Sequence, residues 1–99
     1  MTQDKEQTKV IFRKYAEGDI IALFPELAGD MDAHLTCLSY IHVGQHGSAS
    51  VFTSYFTYPA NESEYTPLKR ELESLGYNLR ICKRMNKADL MARIQQVKR

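Results

Sequence analysis

The chain reads as a single α+β domain: an antiparallel sheet of about four strands, in the order β-β-β-(α)-α-β-α, with helices packed mainly on one face. Three observations predict this. Three short β-type runs, at 9–15, 20–24 and 34–43, are separated by turn signals. Consecutive strands of this kind suit a meander, hence antiparallel pairing. A capped leucine stripe is then followed by one more alternating run. With 99 residues the chain has room for one domain, over 8–99, and one modest core. Residues 1–7 are polar and are expected to be disordered.

The first run, Lys9-Val10-Ile11-Phe12-Arg13-Lys14-Tyr15, is rich in β-branched and aromatic residues. Alternation sends Val10 and Phe12 to one face and Ile11 to the other, beside Lys9 and Arg13. Ala16-Glu17-Gly18-Asp19 supplies a turn, with Gly18 free to take a positive φ. Ile20-Ile21-Ala22-Leu23-Phe24 is apolar on both faces, as a central strand should be, and Pro25 is expected to end it. An acidic loop, 26–33, leads to the third run. There Cys37, Ser39 and Ile41 share one face and Leu38, Tyr40 and His42 the other. The segment from 44 to 47 reads as a loop opened by Gly44 and Gly47. Residues 48–58 carry both β composition and helical spacing; the reading is a short helix followed by an extended segment.

Asn61 is placed to cap a helix, with Glu64 three residues on. Tyr65, Leu68, Leu72 and Leu75 then fall on one helical face, and Gly76 is a good terminator. Pro67 removes a backbone bond, so the first turn is expected to be distorted. From Tyr77 to Met85 the chain alternates, with Tyr77, Leu79, Ile81 and Met85 inward. Asn86 is expected to cap a last helix with Asp89 at its third position and Leu90, Met91, Ile94 and Val97 as its stripe.

Hydrophobic residues make up 43% and charged residues 25%, ordinary for a soluble domain. No apolar run is long enough to span a bilayer, and the N-terminal stretch lacks a secretory core, so no membrane partner and a cytoplasmic location are expected. Cys37 and Cys82 read as thiols rather than a disulfide framework. Net charge is +1 but uneven: the balance is −5 over residues 1–68 and +6 over 69–99. Arg80, Lys83, Arg84 and Lys87 are therefore the candidates for a nucleic-acid face, against the plainer reading of a solvated basic surface.

The richest stretch for a site is the end of the third run. Tyr40, His42, Gln45 and His46 concentrate polar side chains where a rigid strand meets a glycine-permitted loop, a common way to build a binding surface. The same residue types also serve as turn-makers. His34, Cys37, His42 and His46 can each bind zinc, but alternation turns Cys37 away from His34 and His42, so no metal and no cofactor are expected. A narrower metal or enzyme reading keeps only His42 with His46. There is no Gly-x-Ser-x-Gly elbow and no phosphate loop.

Several segments taken together resemble a family of small, uncharacterised bacterial and mobile-element proteins. They are Lys9-Val10-Ile11-Phe12-Arg13-Lys14, Asp19-Ile20-Ile21-Ala22-Leu23-Phe24-Pro25, the run from Cys37 to Gly47, and Glu64-Tyr65-Thr66-Pro67-Leu68-Lys69-Arg70-Glu71-Leu72 leading to Gly76-Tyr77. The resemblance covers most of residues 9–84 and implies a bacterial, cytoplasmic, single-domain protein. It carries no activity. The leading expectation is a small non-catalytic binding or regulatory module with a protein partner. The alternatives are nucleic-acid binding by the basic third and a metal site or enzyme built on His42 and His46. Nothing in the pattern sets an oligomeric state.

Overall fold

A computed structural model describes residues 7–28, 36–41, 45–50, 53, 56–84, 87–89 and 91. β1 (Thr8–Lys14), β2 (Ile20–Ala28), β3 (Thr36–Ile41) and β4 (Gln45–Ser50) form an antiparallel meander in the spatial order β4-β3-β2-β1. Two short strands share the far side of β1. β5 (Tyr58–Pro59) lies antiparallel against Arg13 and Lys14, and β6 (Leu79–Cys82) lies parallel against Thr8 to Ile11. Helix α1 (Glu62–Ser74) connects them. The α+β class and the antiparallel meander stand. Among the described residues the sheet has six strands rather than about four, and β6 is its parallel member. The reason is connectivity: α1 reverses the chain between β5 and β6, so β6 runs along β1 rather than against it.

The first hairpin closes as its residues require. Tyr15 N–H donates to the Asp19 carbonyl at 2.9 Å, Gly18 N–H donates to the Tyr15 carbonyl at 2.8 Å, and Gly18 sits at φ +106°. β2 does not stop at Pro25. It continues to Ala28, and its register against β3 shifts between Phe24 and Ala28. A proline, which has no N–H for a ladder, is tolerated at such an irregularity, and Pro25 is fully buried there.

The 44–47 loop reading is also corrected: Gln45 to Ser50 pair with Ile41 to Thr36 without a break, so the chain doubles back. Gly47 sits inside that strand, where a Cβ would meet only Ser39 Oγ at 3.7 Å. Of the short helix expected within 48–58, Ser48 to Ser50 are strand, Thr53 is 3-10-helical with the Phe56 N–H donating to its carbonyl at 3.0 Å, and 51, 52, 54 and 55 lie outside the described residues. The extended segment that was to follow is β5. The sequence Gln-His-Gly-Ser-Ala-Ser has weak β propensity, and pairing with β3 overrides it.

α1 starts where the capping box places it. Asn61 Oδ1 accepts the Glu64 N–H at 3.0 Å, and Glu64 Oε1 accepts the Asn61 N–H at 3.0 Å. The helix runs through Pro67 and ends before Gly76, at φ +106°. Its Leu68 and Leu72 pack on Val10, Phe12, Ala22, Phe24 and Tyr40. Leu75 leaves the stripe; as the C-cap it is 56% exposed.

The opposite face carries Ile11, Ile21, Leu23 and Cys37, with Cys82 and Tyr15 beside them. Strand alternation also puts Lys9 and Arg13 on that face, and both are buried. Lys9 Nζ meets Asp89, in the helical residues 87–89, at 2.5 Å, and Arg13 donates to Thr57 Oγ1 at 3.0 Å and to the Thr57 carbonyl. Of the expected last stripe, Met91 is exposed, and Asn86, Leu90, Ile94 and Val97 lie outside the described residues, as does the acidic loop from 29. Among the described residues no helix is long and apolar enough to cross a membrane.

Candidate functional site

The structure divides the four residues read as one binding surface. Tyr40 is 2% exposed and faces α1, where its hydroxyl donates to the Glu71 carboxylate. That bond favours the neutral phenol, and with burial and the Glu71 charge it pushes the Tyr40 hydroxyl up to about 12. Tyr40 is therefore a core residue with one polar tie, not a surface group. His46 lies directly across the ladder from Tyr40, edge-on to it at 4.8 Å between ring centroids. Its Nε2 is 2.8 Å from Oη of Tyr77, just past the C-terminal end of α1. Tyr77 in turn stacks on Phe24 at 5.2 Å, and burial raises its phenol. Gln45 joins through its backbone pairing with Ile41, and His42 lies outside the described residues. What remains of the predicted surface is His46 with Tyr77, a polar pair at the end of α1.

A second site was not visible in the sequence. Because β5 and β6 meet β1 at different points, the sheet edge parts beside Phe12. The parting opens a cleft of about 710 Å³. Its apolar lining includes Phe12, Tyr65 and Ile81, and its polar lining includes Glu62, Cys82 and Lys83. Phe12 and Tyr65 stack at 4.5 Å with planes 8° apart, which fixes one wall. The start of α1 forms another wall and is pinned to the sheet: Lys14 Nζ reaches Glu64 Oε2 at 2.5 Å. The hydrogen bond from Lys14, then that from the Asn61 backbone, hold the Glu64 carboxyl below its ordinary range. Cys82 is a half-buried free thiol, with the Arg80 guanidinium 3.5 Å from its sulfur. The signal that could have found this cleft is Pro59, which shortens β5 and forces its ladder to stop.

The basic candidates lie along one stretch of chain, from β6 into the 87–91 segment. Lys83, Arg84 and Lys87 are exposed, whereas Arg80 pairs with Glu26 at 3.4 Å. Cys37 is fully buried on the face away from α1 and Tyr40 faces α1, so the alternation that separates Cys37 from the even-numbered residues of that strand holds over the described part. His34 and His42 lie outside the described residues, and among those described no three His, Cys, Asp or Glu side chains gather as a metal site.

Scanned against family models, curated proteins and solved structures, the chain has no match.

Proposed function

We propose that this protein is a small non-catalytic binding domain whose ligand sits in the cleft between β5 and β6. The observation that carries the reading is the cleft of about 710 Å³, apolar in its walls and polar at a few points. Small-molecule sites are concave, mostly apolar and roughly 300–1,000 Å³ in size. The ligand class this favours is a flat apolar body with an anionic group, the first for the Phe12, Tyr65 and Ile81 walls and the second for Lys83. The binding surface expected around Tyr40, His42, Gln45 and His46 is the weaker location, because Tyr40 is buried and satisfied by Glu71.

Nucleic-acid binding through Arg80, Lys83, Arg84 and Lys87 remains the second reading, weakened because Glu26 occupies Arg80. The bacterial and mobile-element setting is likewise a proposal resting on the resemblance alone, and the cytoplasmic location is one resting on it together with the polar composition of residues 1–7.

The test uses anilinonaphthalene sulfonate, whose fused rings and sulfonate match that chemistry. Its fluorescence should saturate with wild-type protein. Ile81→Glu, at a position already 37% exposed, should weaken binding by about tenfold or more, a change of about 1.4 kcal/mol. No saturable signal, or equal binding by the folded variant, would remove the cleft from consideration.

A further inference from the structure

We propose that β4 is a self-association edge, pairing antiparallel with β4 of a second copy across a two-fold axis so that two sheets become one. The sheet has two edges, and they are built differently. On the far side of β1 the edge is broken into β5, which contains Pro59, and β6, which contains Arg80 and runs on into Lys83 and Arg84. Short strands, proline and positive charge are the usual devices that keep an edge from pairing with another chain. Two copies of β6 side by side would set like charges against each other.

β4 has none of these devices. It is six residues long, pairs with β3 at every position without a register shift, and contains no Asp, Glu, Lys, Arg or Pro. Among the described residues no strand lies on its other side. Its uncharged sequence meets no electrostatic penalty on pairing with itself.

Each face of this edge also presents an apolar side chain to water. Leu75, 56% exposed, borders a shallow groove with His46, Gly76 and Tyr77 on the α1 face. Ile41, 39% exposed, lies one strand in and borders a depression with Gly47 and Ala49 on the opposite face. A strand laid against β4 would border the groove beside His46 directly and lie two strand spacings, about 10 Å, from Ile41. The contact is about 20 Å long at ~3.4 Å per residue, which suits a concentration-dependent dimer rather than an obligate one. The cleft between β5 and β6 lies at the other edge, so ligand binding there and association here are compatible, and either can fail without the other.

The experiment is sedimentation velocity of the full chain from micromolar to near-millimolar concentration. The wild type should move from monomer toward twice its mass as concentration rises. Leu75→Lys and Gly47→Lys alter exposed positions and place each new charge in the interface twice. Each should raise the dimer dissociation constant by about tenfold or more, about 1.4 kcal/mol. Lys83→Glu, at the opposite edge, should leave it unchanged. Circular dichroism melts confirm that each variant is folded. A wild type that stays monomeric throughout, or a dimer indifferent to both β4-edge variants, or one dissolved by Lys83→Glu, would overturn the proposal.

Discussion

On the face that α1 covers, Leu68 and Leu72 pack on Val10, Phe12, Ala22 and Phe24, and aromatic stacks close the ends. On the other face, Ile11, Ile21, Leu23 and Cys37 share their layer with two buried cations, Lys9 and Arg13. The first face is held by area removed from water, at roughly 1.5–3 kcal/mol for each fully buried leucine. The second adds polar contacts to distant residues: Asp89 is 80 positions from Lys9, and Thr57 is 44 from Arg13. The difference teaches where tolerance lies. An apolar face accepts shape-conserving change, whereas a buried charge depends on the groups that offset its lost hydration and fails sharply without them. Burial makes the Arg13 guanidinium release its proton more readily than an exposed one would, and its bonds to Thr57 oppose that loss of hydration.

The largest expected effect tests the second face. Asp89→Ala should destabilise by about 3–5 kcal/mol, because it leaves Lys9 buried without its ion-pair partner. The double variant Lys9→Met with Asp89→Leu should recover most or all of that loss, since well-packed apolar replacement of a buried pair is often neutral or better. Urea unfolding of Lys9→Met, Asp89→Leu and their double gives the coupling, and additive losses would show that the pair is not the unit that matters.

The first face is tested by Leu72→Ala, expected to lose about 2–5 kcal/mol through a cavity beneath α1. Measured the same way, its loss should be nearly independent of pH between 5 and 9, because no titrating group is removed. A loss well under 1 kcal/mol would mean that α1 is not the clamp on this face.

The smallest effect sits on the polar tie within the α1 face. The Tyr40 hydroxyl is raised from 10.0 to about 12 by its bond to Glu71, so the folded state holds this proton more tightly than the unfolded chain. The associated stability is complete below the unfolded value near 10 and is lost as pH rises from there toward 12. Tyr40→Phe should remove that part of the alkaline decline while leaving the acid limb alone. Identical alkaline slopes in wild type and variant would show that the phenol titrates as if exposed.

Much of the fold was legible because its signals are local. Asn61 and Glu64 are three residues apart and close the capping box through their own backbone, and Gly18 and Gly76 take the positive φ that their turns need. The apolar run at Ile20 to Phe24 states that its strand is covered on both sides, and so it is. Pro25 misled because a proline is read as a stop, while here the ladder shifts register and carries on. β4 was missed because polar, glycine-containing composition outvotes strand geometry until a neighbour supplies the hydrogen bonds. Of the candidate site, the role of His46 was half legible; its partner Tyr77 is 31 residues away.

The sequence alone determined the class, the first hairpin, the limits of α1 and the two-faced character of the central strands, because each follows from backbone conformation and from side-chain period over a few residues. Only the tertiary structure decided that Lys9 and Arg13 are interior, that Tyr40 is spent on Glu71, that β6 runs parallel to β1 and that a cleft opens beside Phe12. Those depend on which distant segments meet, and the meeting is set by the summed burial of the whole sheet, which no short window of residues encodes.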